Sequence, residues 1–338
     1  MRLVLAFFCF AAVAFAAAES TTAEAELTPK ELATMFTQFL TKFKRSYSAS
    51  TFAKKLATFS ANVKKTVSLN AAKLKASFGV TKFADLSTTE FKAYMGARPP
   101  SARSFIEAGM TTDVEAEALT EATIESFSTG FDWSSKNLLK DPRYQGGCGS
   151  CWSFATARVI EAASAIKGGS NAYVSTQAMV DCANGTPCGG CNGGYITCAT
   201  DYSKTTGYFS ETDKPYASKK NTCDVSKLTP AGKVKSLNMV RATDNDFITG
   251  IKASPLFVTV DATPLQLYKA GIITAAANCS STINHAVVAT GFGNADGSNY
   301  YNIANSWGKD WGEAGHFRIS SGNTCGLFSY PGYYVTLA

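Results

Sequence analysis

Two residues of the 338-residue chain have the type and setting for nucleophilic chemistry, Cys151 and His285. Gln145-Gly146-Gly147-Cys148-Gly149-Ser150 is a glycine-loosened turn that runs into Cys151. Beyond it Trp152, Ala155, Val159, Ala162 and Ile166 recur at helical spacing up to Gly168-Gly169. The spacing predicts a buried helix with Cys151 at its mouth, where unpaired backbone N–H groups and the positive end of the dipole favour thiolate over thiol. The chain has two histidines, so the choice of a base is narrow. His285 opens a strand over 285–290, Asn294-Ala295-Asp296-Gly297 is a turn, and 300–304 is the next strand. A hairpin folded about residue 295 puts Asn305 opposite His285, which places a base and an orienting amide at one end of one ribbon. His316, within a later strand, reads as structural. Cys148-x-x-Cys151 also fits a redox dithiol or half of a zinc site, but no matching second pair completes a zinc ribbon.

These groups need a scaffold, and the length allows more than one domain with a sizeable core. The net charge of +6 is spread without a block of like charge, so it reads as solubility and excludes a nucleic-acid arm. Arg2 followed by an apolar run to Ala18 reads as a secretory leader over 1–18, too short to span a bilayer, and no later stretch reads as a span. The mature chain is expected to be soluble and to meet an oxidising compartment. Cys9 leaves with the leader, so nine of the ten cysteines remain, and an odd number points to one free thiol, with Cys151 the best candidate. The other eight could form four bridges whose pairing the spacing leaves open.

Residues 19–95 read as a helical, basic unit without cysteine. Met35, Phe36, Phe39, Leu40 and Phe43 share one face, continued by Phe52, Leu56, Phe59 and Val63. Such a face must be laid on something. Residues 96–126 carry Pro99-Pro100 and scattered acids (Glu107, Asp113, Glu115, Glu117, Glu121, Glu125), and read as an extended, protease-accessible linker. Residues 127–338 then pass from helical patterns to β-branched and aromatic runs at 256–261, 285–290, 300–304 and 316–320. This implies an α+β chain of two lobes with a cleft between them. Within it Cys188-Gly189-Gly190-Cys191-Asn192-Gly193-Gly194 could let an extended peptide approach main chain closely. A metal knuckle there lacks a histidine.

Cys148-Gly149-Ser150-Cys151-Trp152 resembles the signature of the papain-like cysteine peptidases. Lys55, Phe59, Asn62 and Asn70, with the run Gly79-x-Thr81-x-Phe83-x-Asp85, resemble the inhibitory pro-domain of their cathepsin L-type branch. Thr51, Thr66 and Thr81 depart from that pattern; the ion pair lost at Thr51 is worth roughly a few tenths of a kcal/mol.

The resemblance implies a papain-like two-lobe fold, with a helical left lobe and a β-barrel-like right lobe, behind a pro-domain that runs through the cleft in reverse. It implies a zymogen of a cysteine endopeptidase, with mature enzyme beginning near Phe127. Cys151 is the implied nucleophile, His285 the acid and base, Asn305 the ring holder, Gln145 an oxyanion donor and Trp307 the shield of the histidine–asparagine bond. Gly193 and Gly194 would pair with substrate, and Tyr195, Ile196, Thr259, Asn284 and Tyr330 would line the main pocket. No acid stands among those five, so an aliphatic or aromatic residue is expected two positions before the cut and a basic one is disfavoured.

The implied bridges are Cys148–Cys191, Cys182–Cys223 and Cys279–Cys325, leaving Cys188 and Cys198 for a fourth. Asn184 and Asn278 begin glycan sequons. No cofactor, metal, nucleic acid or membrane partner is expected. The implied partners are protein and peptide substrates and the chain's own pro-domain, for a monomer in the secretory pathway, lysosome-like or extracellular. An exopeptidase would need a blocking loop with further histidines, and an inactive peptide-binding homologue would be expected to have lost the nucleophile.

Overall fold

The computed structural model describes residues 27–100, 119–170 and 172–338; the leader reading and the linker acids at 107–117 lie outside them. Two helices open the described chain. In α1 (Pro29–Lys42), Thr28 and Glu31 form a reciprocal capping box with Pro29 at the first helical position, which satisfies the otherwise unpaired N-terminal amides. α2 (Ala49–Ala71) crosses it, and Phe36, Phe39 and Phe59 interlock with ring centroids 5.1–6.0 Å apart. Thr66 is buried, and its hydroxyl donates to the Val63 carbonyl of its own helix at 2.7 Å, so this departure from the pattern leaves no unpaired group.

The helical reading of 19–95 misses one strand. β1 (Ala76–Phe78) pairs antiparallel with β5 (Tyr268–Ile273) of the following domain, where Ala76 lies opposite Gly271. The amphipathic face is therefore laid partly on the chain's own sheet, with main-chain hydrogen bonds added. The short helix α3 (Thr88–Phe91) follows, capped by Ser87 and Glu90.

A second correction concerns 96–126. Its last residues are helical: α4 (Glu121–Thr129) starts at Thr120, whose hydroxyl accepts from the Thr123 N–H at 3.2 Å. Phe127, 1% exposed, is wedged between Phe292 and Tyr301 at 5.9 and 5.7 Å. Lys252 Nζ donates to Ser126 Oγ at 2.8 Å, and the Thr120 N–H donates to Asn245 Oδ1. The boundary expected between 126 and 127 thus falls inside a docked helix.

The rest comprises β2 (Phe131–Asp132), α5 (Cys151–Ile166), α6 (Thr176–Cys182), α7 (Ile196–Thr205), β3 (Val234–Val240), α8 (Asp244–Ala253), β4 (Leu256–Val260), β6 (His285–Ala295), β7 (Ser298–Ala304), β8 (His316–Ser320) and β9 (Gly332–Leu337). The sheet runs β1-β5-β8-β7-β6-β4-β9-β3, with β2 on β6 beyond β4. It is an open sheet, so the expected barrel-like lobe is not closed. β6 has neighbours on both edges and apolar cover on both faces, so its first nine residues are all buried and the alternation of a half-exposed strand is missing.

α5 is buried almost all round and packs on β6 and β9. Cys148–Cys191 ties the glycine-rich stretch to the turn ahead of this helix and Cys188–Cys198 ties it to α7, while Cys182–Cys223 ties α6 to a later loop and Cys279–Cys325 braces the sheet side. Among the described residues Cys151 is the free cysteine, and no helix is long and apolar enough to cross a membrane.

Candidate active site

Cys151 is the first residue of α5 and His285 the first of β6, so each stands where an element opens onto the seam between the two packed layers. Both are fully buried. The sulfur receives the Ala286 N–H (N···Sγ 3.5 Å) and the Gly96 N–H, besides the helix-mouth amides of Trp152 and Cys151 itself. Burial nevertheless pushes the thiol up to about 11, because losing water costs the anion more than these amides return. Burial likewise lowers His285 from its ordinary 6.5 to about 4, against the opposing hydrogen bond to Asn305. In this covered state burial favours the uncharged form of each group, and His285 Nδ1 makes no hydrogen bond to the sulfur.

His285 Nε2 lies 2.8 Å from Asn305 Oδ1, and the same oxygen accepts the Ser306 N–H at 2.7 Å. An oxygen already taking one donor is an acceptor for the ring, so Nε2 carries the imidazole proton. The unbonded Nδ1 is left with its lone pair. Trp307 stacks on the ring at 4.8 Å and 27°.

This contact is reached by a register other than the one read from sequence. The two-residue loop is Asp296-Gly297, both at positive φ (51° and 69°), and Ala295 pairs with Ser298. A shift between Ala289 and Gly291 moves the ladder again, and β7 ends with Ala304 opposite Val288. His285 itself pairs with Val260 of β4. Asn305 has left the ladder to donate its N–H to the Gly315 carbonyl, and reaches the ring diagonally.

Gln145 is clamped across the seam. Its N–H donates to the Ser306 carbonyl (2.9 Å), its Oε1 accepts from Ser306 Oγ (2.5 Å), and its Nε2 donates to the Cys148 carbonyl (2.8 Å) and the Tyr94 carbonyl (3.2 Å). Tyr94 belongs to the amino-terminal unit, and its carbonyl also accepts from Trp307 Nε1 at 3.4 Å.

From Tyr94 the chain crosses the cysteine. The Ala97 N–H donates to the Asn284 carbonyl (3.0 Å) and the Arg98 N–H to the Gly194 carbonyl (2.9 Å), and the Gly194 N–H donates to the Gly96 carbonyl (2.9 Å). The Ala97–Gly194 bridge is parallel. The sulfur therefore faces the Gly96 peptide N–H of the crossing segment.

The remaining expected pocket residues are brought to the same place, with one difference. Tyr195 is fully buried, its ring 5.3 Å from Phe257 and 6.4 Å from Tyr330. Ile196 and Thr259 are buried nearby on α7 and β4. Asn284 offers its carbonyl to Ala97, while its side chain turns away to Asp261 Oδ1 (2.7 Å) and the Ala262 N–H (2.9 Å). Asn184 and Asn278 are exposed.

Sequence reasoning missed the clamp formed by the amino-terminal unit. Phe83 and Phe91 each stand edge-on to Trp307 at 5.2 Å, and Lys82 Nζ donates to the Trp307 carbonyl at 2.9 Å. Asn62 Nδ2 donates to the Ala84 and Leu86 carbonyls, Asn70 brackets Phe78, and Lys55 Nζ reaches the Asp85 carbonyl and Glu90. These are helix-face polar residues whose spacing was legible, but their targets lie on a later segment.

A family model described as papain family cysteine protease matches residues 127–335, and one described as cathepsin propeptide inhibitor domain matches 36–91. The chain belongs to the papain family of cysteine proteases. It is a cysteine endopeptidase made as a zymogen, with a cathepsin L-type propeptide ahead of the papain-like domain.

Among its relatives, chymopapain of Carica papaya is 35% identical over 269 residues, 76% of this chain and 72% of that one. Cathepsin L 2 of Paramecium tetraurelia is 32% identical over 259 residues, 76% of each. The digestive procathepsin L 3 of Tenebrio molitor larval midgut superposes with a TM-score of 0.77 at 27% identity, covering 90% of this protease and 99% of that chain. For this family member, then, the unit whose Phe83 and Phe91 meet Trp307 is the propeptide, and the segment over Cys151 follows it in the chain.

Proposed function

We propose that the catalytic steps fall to four side chains. With the cleft open, the Cys151 thiol gives its proton to His285 Nδ1 and the thiolate attacks the scissile carbonyl carbon. The new oxyanion is received by Gln145 Nε2–H and the Cys151 N–H. The imidazolium passes its proton to the leaving nitrogen as the C–N bond breaks, leaving a thioester. Water, deprotonated by His285, hydrolyses that ester and the thiol returns. Asn305 holds the ring through Nε2, and Trp307 keeps water from that bond. Support comes above all from the Tyr94 carbonyl, an uncharged oxygen bound at the Gln145 donor where a substrate oxygen would sit. The substrates are proteins and peptides, met by a monomer in the secretory pathway, in a lysosome-like compartment or outside the cell.

The closed cleft opens on acidification. A histidine whose pKa is lowered by cover, here from 6.5 to about 4, takes up its proton only when uncovered. The closed form therefore keeps its full advantage above about pH 6.5 and loses it as pH falls toward 4. Acidifying the purified zymogen and following active-site alkylation should give a rise in rate across that interval; a flat profile counts against the mechanism. The new amino terminus should lie upstream of Thr120, because α4 stays docked on β6 and α8. Recovery of Phe127 as the first residue would mean that α4 is lost.

The pocket preference narrows to small aliphatic residues two positions before the cut. Ala97 takes that place in the zymogen with a single methyl, buried in one cluster with Ile196, Tyr195 and Phe257, and Tyr330 packs against the same cluster. In a fluorogenic dipeptide library alanine or valine should exceed phenylalanine about 10-fold in kcat/KM, the cost of one to three kcal/mol of overpacking. Arginine favoured at that position would overturn the reading.

A further inference from the structure

Two turns along α5 from Cys151, Arg158 occupies the interior although it is only 8% exposed. A guanidinium keeps its charge in a protein, so a buried one calls for a counter-ion and for acceptors at its N–H groups. Burial works against its charge, the Glu161 carboxylate one turn on offsets part of that cost, and Arg143 nearby adds a second positive charge. The adjacent carboxylates hydrogen-bond to Arg143. Glu161 Oε1 accepts from Arg143 Nη2 at 2.8 Å and from the Val174 N–H at 2.9 Å, and Glu211 Oε2 accepts from Arg143 Nη1 at 3.1 Å. Arg158 Nε has no hydrogen-bond partner.

Arg158 lines a cavity of about 20 Å³ together with Asn305, Ser306, Phe154 and Ala304, room for one occupant the size of a water molecule. Asn305 is 4% exposed, and its Nδ2, the end of the amide turned away from His285, also lacks a partner. His316 opens β8 opposite Ala304, and its Nε2 is a third buried polar atom without one. A fixed cation and an amide N–H group thus line one small cavity. Two N–H donors, one of them on a cation, favour a small acceptor, and the volume limits it to a monatomic ion or one water molecule.

We propose that this cavity is a halide site, with chloride the natural occupant, held by Arg158 Nε and Asn305 Nδ2. The ion would neutralise Arg158 and fix which way the Asn305 amide faces. With Nδ2 held by the anion, Oδ1 is left for His285 Nε2 and the Ser306 N–H. Chloride is then a positioning ligand for the imidazole, acting from behind it without touching substrate. This consequence for rate rests on the catalytic roles proposed above, whereas occupancy of the cavity does not.

The experiment has two arms that separate the two claims. Crystals of the full-length zymogen grown without chloride are soaked in bromide, and data are collected at the bromine absorption edge. An anomalous peak in hydrogen-bonding reach of Arg158 Nε and Asn305 Nδ2 is expected, absent in Arg158→Met and retained in Arg158→Lys. Lack of a peak in the unsubstituted protein, as a bound water would give, overturns the site whether or not the variants fold. In the second arm, acid-activated enzyme is assayed in gluconate with chloride added at fixed ionic strength. kcat should rise by roughly 10-fold with KM little changed, the effect of correcting a misplaced catalytic group, and Arg158→Met should not respond. A peak with no change in kcat overturns the coupling to Asn305, and an equal response in Arg158→Met overturns Arg158 as the holder.

Discussion

Cys151→Ala lowers kcat for peptide hydrolysis by about 10⁴-fold or more, and the zymogen carrying it neither processes itself at acid pH nor takes up an epoxide thiol reagent. The sulfur is the one free thiol among the described residues, the other eight cysteines there being in disulfides. Gln145, Asn305 and Trp307 beside it are not nucleophiles, and the Ser306 hydroxyl is engaged with Gln145 Oε1. Residues that act as one unit lose most of their effect together, so the remaining rate reflects binding and the oxyanion donors. The substitution removes a single atom from the first turn of a helix held by its own packing, so the fold should persist. Titrating the thiol and assaying the protein after processing by an added protease checks both points. Hydrolysis within about 10-fold of the unsubstituted enzyme would sink the assignment.

Gly96→Val opens the zymogen. A Cβ built on Gly96 would lie 2.1 Å from the Gly149 carbonyl oxygen and 2.5 Å from its carbon. Both belong to the turn tied by Cys148–Cys191, whose Cys191 carbonyl accepts the Gly149 N–H at 3.0 Å, so the wall cannot retreat. The propeptide must lift instead. Its lifting breaks the Gly96 contact to the sulfur and the Gly194–Gly96 and Ala97–Asn284 hydrogen bonds. Overpacking of this kind costs about 1–3 kcal/mol, and each main-chain bond adds about 1. Inhibition of the mature enzyme by the added propeptide should therefore weaken about 100-fold or more. The zymogen should become alkylatable at neutral pH, while the mature enzyme, which has lost residue 96, is unchanged. Equal inhibition by the substituted propeptide would mean that the Phe83 and Phe91 contacts on Trp307 suffice and the crossing segment is dispensable.

The amino-acid order by itself determined the chemistry. A cysteine after a glycine turn and before a helical apolar repeat must head a buried helix, and a chain with two histidines leaves little choice of base. An odd number of cysteines after the expected leader already pointed to one unpaired thiol. The apolar face through Phe36, Phe39, Phe59 and Val63 was legible because helical periodicity is a local property. The same holds for the strands at 285–290 and 300–304, whose composition and turn residues lie within a few positions of each other.

Tertiary structure alone decided what meets across long separations. The hairpin register depended on a two-residue turn and an irregularity at Thr290, and neither leaves a mark in the hydrophobic pattern. β1 is three residues long and exists because β5 offers an edge to it. α4 replaced the end of a linker since Phe127 finds a slot between Phe292 and Tyr301, a slot made by residues far along the chain. The protonation of Cys151 and His285 was decided in the same way. At the helix mouth the amides favour thiolate, but a propeptide peptide laid over the sulfur excludes water, and in this state desolvation outweighs them. Local order sets which groups exist and their intrinsic tendencies; packing sets the solvent they see, and for ionisable groups the solvent has the larger effect.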